Sequence, residues 1–345
     1  MRRILICLHD FSRGGTERIA IGLAAAWADA GREVTILCGS TEGGLREMVD
    51  SRVTVVVLDP PVRRGFLSRW KLGRAMAKRL VALMPDLIFL PGNFHALLAN
   101  GLRRGTDAPI ALKISNPPVP DAPFARAIFR IITRGVTGFA AMNGGLAREL
   151  KVLLPGRQVA TLHDPVFIGA AAARTRSPGR NILWIGRMEP QKDPGLALEV
   201  MRAFDGHLTM LGDGALMPDI RHKAADLKGK ITLAGHAPLI EPYLANADAL
   251  LITSRYEGGP AVAVEALAQG VPVVSTDCSF LLHDLITTPE AGRIVPSRDP
   301  SELAAALIAT CAWPRRPEDL RALAVPFEPR ARALAYLDWF DGLHG

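Results

Sequence analysis

Two carboxylates, Glu257 and Glu265, stand with seven residues between them in a stretch that otherwise reads as core, "SRYEGGPAVAVEALAQGVPVVSTD" (254–277). Two cations, Arg187 and Lys192, stand five apart in "WIGRMEPQKDP". Carboxylates accept hydrogen bonds from hydroxyl-rich ligands, and a pair of cations can clamp a diphosphate. For Glu265 the apolar neighbours Ala261 to Val264, Ala266 and Leu267 argue burial, and a buried carboxylate needs a partner, for which a ligand hydroxyl is natural. Glu257 also reads as an ordinary loop acid, and Arg187 and Lys192 as charges on a surface loop. Two glycine turns add to the set. "HDFSRGGTERIAIGLA" holds Gly14-Gly15, which lets backbone approach a ligand but is not GxGxxG. "MLGDGALMP" holds Gly212 and Asp213, an approach to a nucleotide.

The elements that must position these groups follow from local pattern. "DALLITS" (248–254) and "VPVVSTD" (271–277) are short apolar runs that read as buried strands. Between them, Pro260 suits the first turn of a helix and Gly270 suits its stop, so a helix is expected over Pro260–Gln269. Glu257 then lies in the Gly258-Gly259 turn beyond a carboxyl strand end, where ligands of open α/β sheets bind. The helix start offers free amides for a phosphate. The whole chain alternates in this way. Strands are expected near 4–8, 34–38, 53–58, 87–90, 110–114 and 138–142, and again near 182–185, 207–211, 231–234, 249–252, 271–275 and 293–295. Helical patterns fall near 16–30, 67–84, 145–154, 195–203, 218–225, 241–245 and 301–311. That is a doubly wound α/β pattern, seen twice. "AAAARTRSPGRN" (170–181) reads as the linker.

A chain of 345 residues, 49% hydrophobic and 22% charged, suffices for two domains. Four scattered cysteines read as free thiols of a reducing cytosol. The apolar start is broken at His9-Asp10 and reads as a strand rather than a signal peptide, and no run of ~18 apolar residues argues a membrane span. The histidines show no HxH or HExxH spacing, so no zinc site is expected, and no GxSxG elbow supports a hydrolase. Charge is uneven. Residues 1–165 hold 23 basic and 13 acidic residues, a net of +10, and residues 166–345 a net of −3. No acid stands between Asp59 and Asp86, and that stretch carries seven bases. On a helical wheel Phe66, Trp70, Ala77, Leu80, Val81 and Met84 cluster, with Arg69, Lys71, Lys78 and Arg79 away from them. "FARAIFRIITR" repeats Arg126, Arg130 and Arg134 at four-residue spacing. These segments read equally as helices packed on a sheet with solvated basic faces, or as docking elements for an anionic membrane surface or polyanion.

"GRMEPQKD", "LGDG" and "EGGPAVAVEALAQGVPVVSTD", in that order and with a Glu-x7-Glu spacing at Glu257 and Glu265, resemble glycosyltransferase family 4, and "SRGGTERIA" is similar to the glycine loop of that family's amino-terminal domain. The chain departs from the usual pattern in reading Glu-Gly-Gly-Pro at 257–260 and Asp164-Pro165. The resemblance implies the GT-B fold. Two Rossmann-like doubly wound parallel-sheet domains would face a cleft, with a C-terminal helix returning to the first. The domains would be 1–170 on the acceptor side, a linker 171–181, 182–325 for the nucleotide sugar, and 326–345 crossing back.

It also implies a retaining, metal-independent transfer of a hexosyl or N-acetylhexosaminyl group. The donor would be a nucleotide diphosphate sugar, UDP first among them, acting as co-substrate with no cofactor. The acceptor would be lipid-linked or an envelope or exopolysaccharide saccharide, with the leaving diphosphate serving as base. Arg187 and Lys192 would stabilise that diphosphate, helped by Gly15 and the amides near Ala261 and Val262. Glu257 would bind donor-sugar hydroxyls and Glu265 the ribose. Gly14, Gly212, Asp213, His236, Gly258, Gly259 and Pro260 would touch substrate. His95 would be the sugar-binding histidine of the first domain, with Asn93 as second candidate. A cytoplasmic protein peripheral on the inner face of the membrane is expected, with no nucleic acid partner. Two other classes fit the architecture: a nucleotide-sugar epimerase and a non-catalytic partner that keeps the fold.

Overall fold

The structure is a computed structural model. It describes the chain apart from residues 13, 66–67, 117–122, 167–171, 174, 176–178, 228, 238, 315 and 344–345, and apart from the side chain of Pro123. Much of the expected linker and the aromatic Phe66 therefore lie outside the described residues. The chain forms two compact units, one of residues 1–165 with 329–345 and one of residues 166–328.

The first unit runs β1 (Arg3–Leu8), α1 (Gly15–Asp29), β2 (Glu33–Cys38), β3 (Thr54–Val57), α2 (Ser68–Leu83), β4 (Leu87–Leu90), α3 (Ala96–Leu102), β5 (Ile110–Ile114), α4 (Pro123–Ile132), β6 (Gly138–Ala141), α5 (Gly144–Leu153) and β7 (Gln158–Thr161). Its seven strands are all parallel, in the order β3-β2-β1-β4-β5-β6-β7. Strands buried on both faces read as apolar runs, which is why LIFL was legible; IALKI is broken by Lys113, which is buried in a pair with Asp164. The edge strand β7 is half exposed, carries no such run and went unread.

The second unit runs β8 (Asn181–Ile185), α6 (Pro194–Ala203), β9 (His207–Leu211), α7 (Met217–Ala224), β10 (Ile231–Gly235), α8 (Glu241–Ala245), β11 (Ala249–Ile252), α9 (Ala261–Ala268), β12 (Val273–Thr276), α10 (Phe280–Leu285), β13 (Gly292–Val295), α11 (Pro300–Ala312) and α12 (Pro317–Ala324). Its six parallel strands are ordered β10-β9-β8-β11-β12-β13. A last helix, α13 (Pro329–Gly342), belongs to the first unit, as expected of a returning C-terminal helix. It closes one face of that sheet. Trp27 of α1 stands edge-on to Phe89 and Phe340 at 5.3 and 5.2 Å, and its indole N–H donates to the Ala333 carbonyl at 3.1 Å.

The wheel drawn for α2 is corrected. The helix buries Leu72, Gly73, Met76 and Leu80, and it turns Trp70 and Val81 to solvent. The reason is a close helix crossing: Gly73 and Gly101 let the backbones of α2 and α3 meet, and a Cβ at Gly101 would come within 3.1 Å of Gly73. A bulky aromatic could not sit in that contact, so Trp70 faces outward.

Candidate active site

In the second sheet the order of strand addition reverses between β8 and β11, the crevice where open α/β sheets hold ligands. The loops leaving those two strands carry the expected groups. Lys192, after β8, places its Nζ 2.5 Å from Glu257 Oε1, after β11. The Lys192 and Glu257 side chains are 19% and 9% exposed. The Ser254 hydroxyl donates to the same carboxylate at 2.7 Å, and the Glu257 amide donates to the Cys278 carbonyl. Glu257 is thus a fixed acceptor rather than a solvated loop acid. Arg187 is not drawn into this contact; it is largely exposed and pairs with Glu189 at 2.8 Å. Pro260 caps α9 rather than starting it. The next amides, of Ala261 and Val262, fall in a first turn whose N–H groups lack intrahelical acceptors.

Glu265 is half exposed, not buried. Its sequence neighbours are apolar, but its helical neighbours at i±3 and i±4 are Ala261, Val262, Ala268 and Gln269, and all four are at least partly exposed. Ala263, Val264, Ala266 and Leu267 point into the core instead.

The glycine turns lock together beside this pair. The amide of Met188 donates to the Asp213 carbonyl at 2.9 Å, and that of Gly212 to the Gly235 carbonyl at 2.7 Å. Gly212 has φ +130°, and a Cβ there would lie 1.8 Å from the Gly186 carbonyl oxygen. Asp213 and His236 are exposed at the ends of β9 and β10. Gly212→Ala is expected to lower stability by at least about 1–3 kcal/mol, the scale of one forced backbone conformation. A thermal melt unchanged from wild type would contradict the strain.

Two residues that the sequence reading missed hold the two loops in register. Asp193, beside Lys192, is left-handed at φ 47° without being glycine. Its carboxylate takes Arg255 and Arg298 at 2.8 Å each. Arg298 also donates to the carbonyls of Thr253 and Ser254 at 2.8 and 2.9 Å. The Thr253 hydroxyl, which accepts from Trp184 at 2.9 Å, lies 3.0 and 2.9 Å from the carbonyls of Lys192 and Asp193. Arg298 thereby ties the loop of Lys192 to the loop of Glu257 from a third strand end. Its only sequence signal was an arginine after a strand.

The first unit has its own switch point, between β1 and β4. A cavity of about 530 Å³ there is lined by Gly14, Gly15, His9, Glu17, Arg64 and His95, among others. His9 and His95 are each 7% exposed. Neither His9 ring nitrogen, nor His95 Nδ1, has a hydrogen-bond partner. Burial pushes His95 down to about 4, and it lowers His9 against the opposing pull of Asp10. Asp10 ends at about 2: burial raises it, but hydrogen bonds from Arg64 and Ser12 outweigh that. His95 is therefore neutral at neutral pH. Asn93 is committed to the neighbouring loop after β5, donating to the Asn116 carbonyl at 2.9 Å and accepting from the Ser115 amide at 2.9 Å. Among the described residues no group of three or more His, Cys, Asp or Glu side chains could hold a metal ion.

Two family models match the chain: "Glycosyl transferase 4-like domain" over residues 14–163 and "Glycosyl transferases group 1" over residues 179–312. The phosphatidyl-myo-inositol mannosyltransferase of Mycolicibacterium smegmatis is 25% identical, with 89% of this chain and 84% of that protein covered. The lipopolysaccharide core biosynthesis glycosyltransferase LpsE of Rhizobium meliloti is 27% identical over 78% and 77%. Among solved structures, the apo lipopolysaccharide outer core galactosyltransferase WaaB aligns with a TM-score of 0.80 at 16% identity, covering 98% of each chain. Anabaena HepE, in complex with UDP and glucose, aligns with a TM-score of 0.78 at 15% identity, covering 99% of this chain and 100% of that one. Both likenesses show the fold, GT-B. The chain belongs to glycosyltransferase family 4 and is an enzyme that transfers a glycosyl group.

Proposed function

We propose that the enzyme transfers a hexosyl or N-acetylhexosaminyl group, with retention, from a UDP-sugar to a lipid-linked or envelope-saccharide acceptor at the inner face of the cytoplasmic membrane. The observation that carries this reading is the Lys192–Glu257 pair at the β8/β11 switch point, beside the amino end of α9. Charge grows on the leaving diphosphate during transfer, so preplaced cations and amides act where it develops. Lys192, Arg187 and the Ala261 and Val262 amides take that role, with no metal and no cofactor. Glu257 accepts from the donor sugar and Glu265 from the ribose. Gly212, Asp213, His236, Gly258, Gly259 and Pro260 border the nucleotide. In the first unit Gly14, Gly15 and His95 meet substrate. The neutral imidazoles of His9 and His95 suit hydroxyls, since an uncharged ring with an unpartnered nitrogen gains a bond without the cost of desolvating an ion.

A thermal-shift screen over nucleoside diphosphates and nucleotide sugars tests the donor. A ligand at 100 times its Kd adds about 2.7 kcal/mol, and stabilisation by UDP above other diphosphates is expected. No shift with any of them, or epimerisation of the donor in the absence of acceptor, would overturn the reading. Arg298→Gln is expected to lower kcat by roughly 10–100-fold, the cost of a slight misplacement of reacting groups, with KM for the donor little changed. Arg298→Lys should not rescue it, because one ammonium cannot reach a carboxylate and two carbonyls in a planar fork. A loss confined to thermal stability would leave Arg298 a purely structural residue.

A further inference from the structure

Two aromatic side chains stand exposed at the carboxyl ends of neighbouring strands of the second sheet. Tyr256, in the loop after β11, is 64% exposed, and Phe280, which opens α10 after β12, is 48% exposed. Neither belongs to the core of the second unit, and α10 is seated instead by Leu281, Leu282 and Leu285. Both are firmly mounted. The Glu257 amide donates to the Cys278 carbonyl at 2.7 Å, and the Ser279 hydroxyl donates to the Gly258 carbonyl at 3.3 Å, so the two loops that carry the rings are laced together. Tyr256 is also held by Gln191, whose side-chain amide donates to the Tyr256 carbonyl at 3.0 Å and whose carbonyl accepts from the Arg255 amide at 2.8 Å. In the same loop as Phe280, Asp277 pairs with His283 at 2.8 Å, and both side chains are open to solvent.

Rings set among carboxylates identify the ligand. Glu257 follows Tyr256 in the chain, and Asp277 precedes Phe280 by three residues. An acyl chain laid on the rings would strip water from those acids and give nothing back. A pyranose ring presents C–H groups on its faces and hydroxyls at its rim, so it covers aromatic rings and donates to acids at once. The order of the strands says which sugar this is. The donor proposed above spans the ends of β9, β8 and β11, from Gly212 through Lys192 to Glu257, and β12 is the next strand beyond Glu257. We propose that Tyr256 and Phe280 form a platform for a sugar ring of the acceptor, with the Asp277–His283 pair binding its hydroxyls. The second unit then selects the acceptor by its saccharide part as well as binding the donor. The assignment to the acceptor rests on the donor placement proposed above; sugar binding by the platform is measurable without it.

The test is saturation-transfer NMR on the full chain, with and without UDP, using the methyl α-glycosides of mannose, galactose, glucose and N-acetylglucosamine as probes. Titration calorimetry with UDP runs beside it. The wild type should saturate the ring C–H protons of at least one glycoside. Tyr256→Ala and Phe280→Ala should each weaken that glycoside about tenfold, a loss of about 1.4 kcal/mol, while the Kd for UDP and the melting temperature hold. Tyr256→Phe should bind as the wild type does, because the ring is kept. Wild-type glycoside affinity in Tyr256→Ala/Phe280→Ala overturns the proposal, as does a wild type that saturates none of the four probes. So does glycoside binding that Glu257→Gln abolishes and Phe280→Ala leaves intact, which would put the probe in the donor-sugar position. A chain whose platform variants lose the glycoside as described, yet which binds no UDP, would sink the donor reading and leave the sugar platform standing.

Discussion

Replacing Lys192 by alanine is expected to lower turnover by about 10²–10³, the loss seen when one transition-state donor is removed. The ammonium sits 2.5 Å from Glu257, where charge is expected to develop on the leaving group, and its loop is held by Arg298 and Asp193, which the substitution leaves in place. A second effect must be separated from this one. Lys192→Ala leaves the Glu257 carboxylate, 9% exposed, with the Ser254 hydroxyl but no cation. Breaking a fully buried pair costs about 3–5 kcal/mol, and less is expected here because Lys192 is partly exposed. The double variant Lys192→Ala/Glu257→Gln removes the stranded charge, so it should recover the melting temperature of the single variant while remaining inactive. Steady-state kinetics and thermal melts on the three variants decide the matter. Wild-type turnover in Lys192→Ala would remove the cation from the mechanism.

Glu265→Gln is expected to weaken donor binding by about 1.5–3 kcal/mol, the range for a charge-assisted hydrogen bond, or roughly 10–150-fold in Kd. The half-exposed position favours this test, because the substitution leaves no buried charge and disturbs none of the core residues Ala263, Val264, Ala266 and Leu267. Glu257→Gln should instead depress sugar transfer more than binding of the bare nucleoside diphosphate. Isothermal titration with the diphosphate and with the intact donor separates the two acids. Equal losses of diphosphate affinity would mean that ribose and sugar roles have been assigned to the wrong residues.

The strands were legible because a parallel sheet covered on both faces needs apolar segments, and the turns were legible because glycine marks close backbone approach, as at Gly212 against Gly186. The Glu257–Glu265 spacing and the family resemblance placed Lys192 and Glu257, and the fold brought them into contact. What stayed hidden depends on direction rather than composition. Glu265 looked buried because flanking residues were apolar, yet a helix presents i±3 and i±4 neighbours, not i±1. Trp70 looked like core because it is aromatic, until the Gly73–Gly101 crossing fixed which side of α2 faces inward. His9, Arg64 and Arg298 carry no motif at all. Arg64 and Arg298 acquire their partners from segments distant in sequence, Arg64 from Asp10 and Glu17 and Arg298 from Asp193 and Thr253.

The first unit is not continuous along the chain. Its aromatic cluster of Trp27 and Phe89 is completed by Tyr336 and Phe340 of α13, after the whole second unit has been read. During synthesis, residues 166–328 can therefore reach their final packing while the segment that precedes them still waits with one sheet face uncovered. The first unit can be completed only after the second has been synthesised, and a chain truncated before Pro329 would lack Tyr336, Leu337 and Phe340 and leave bare the apolar residues they cover.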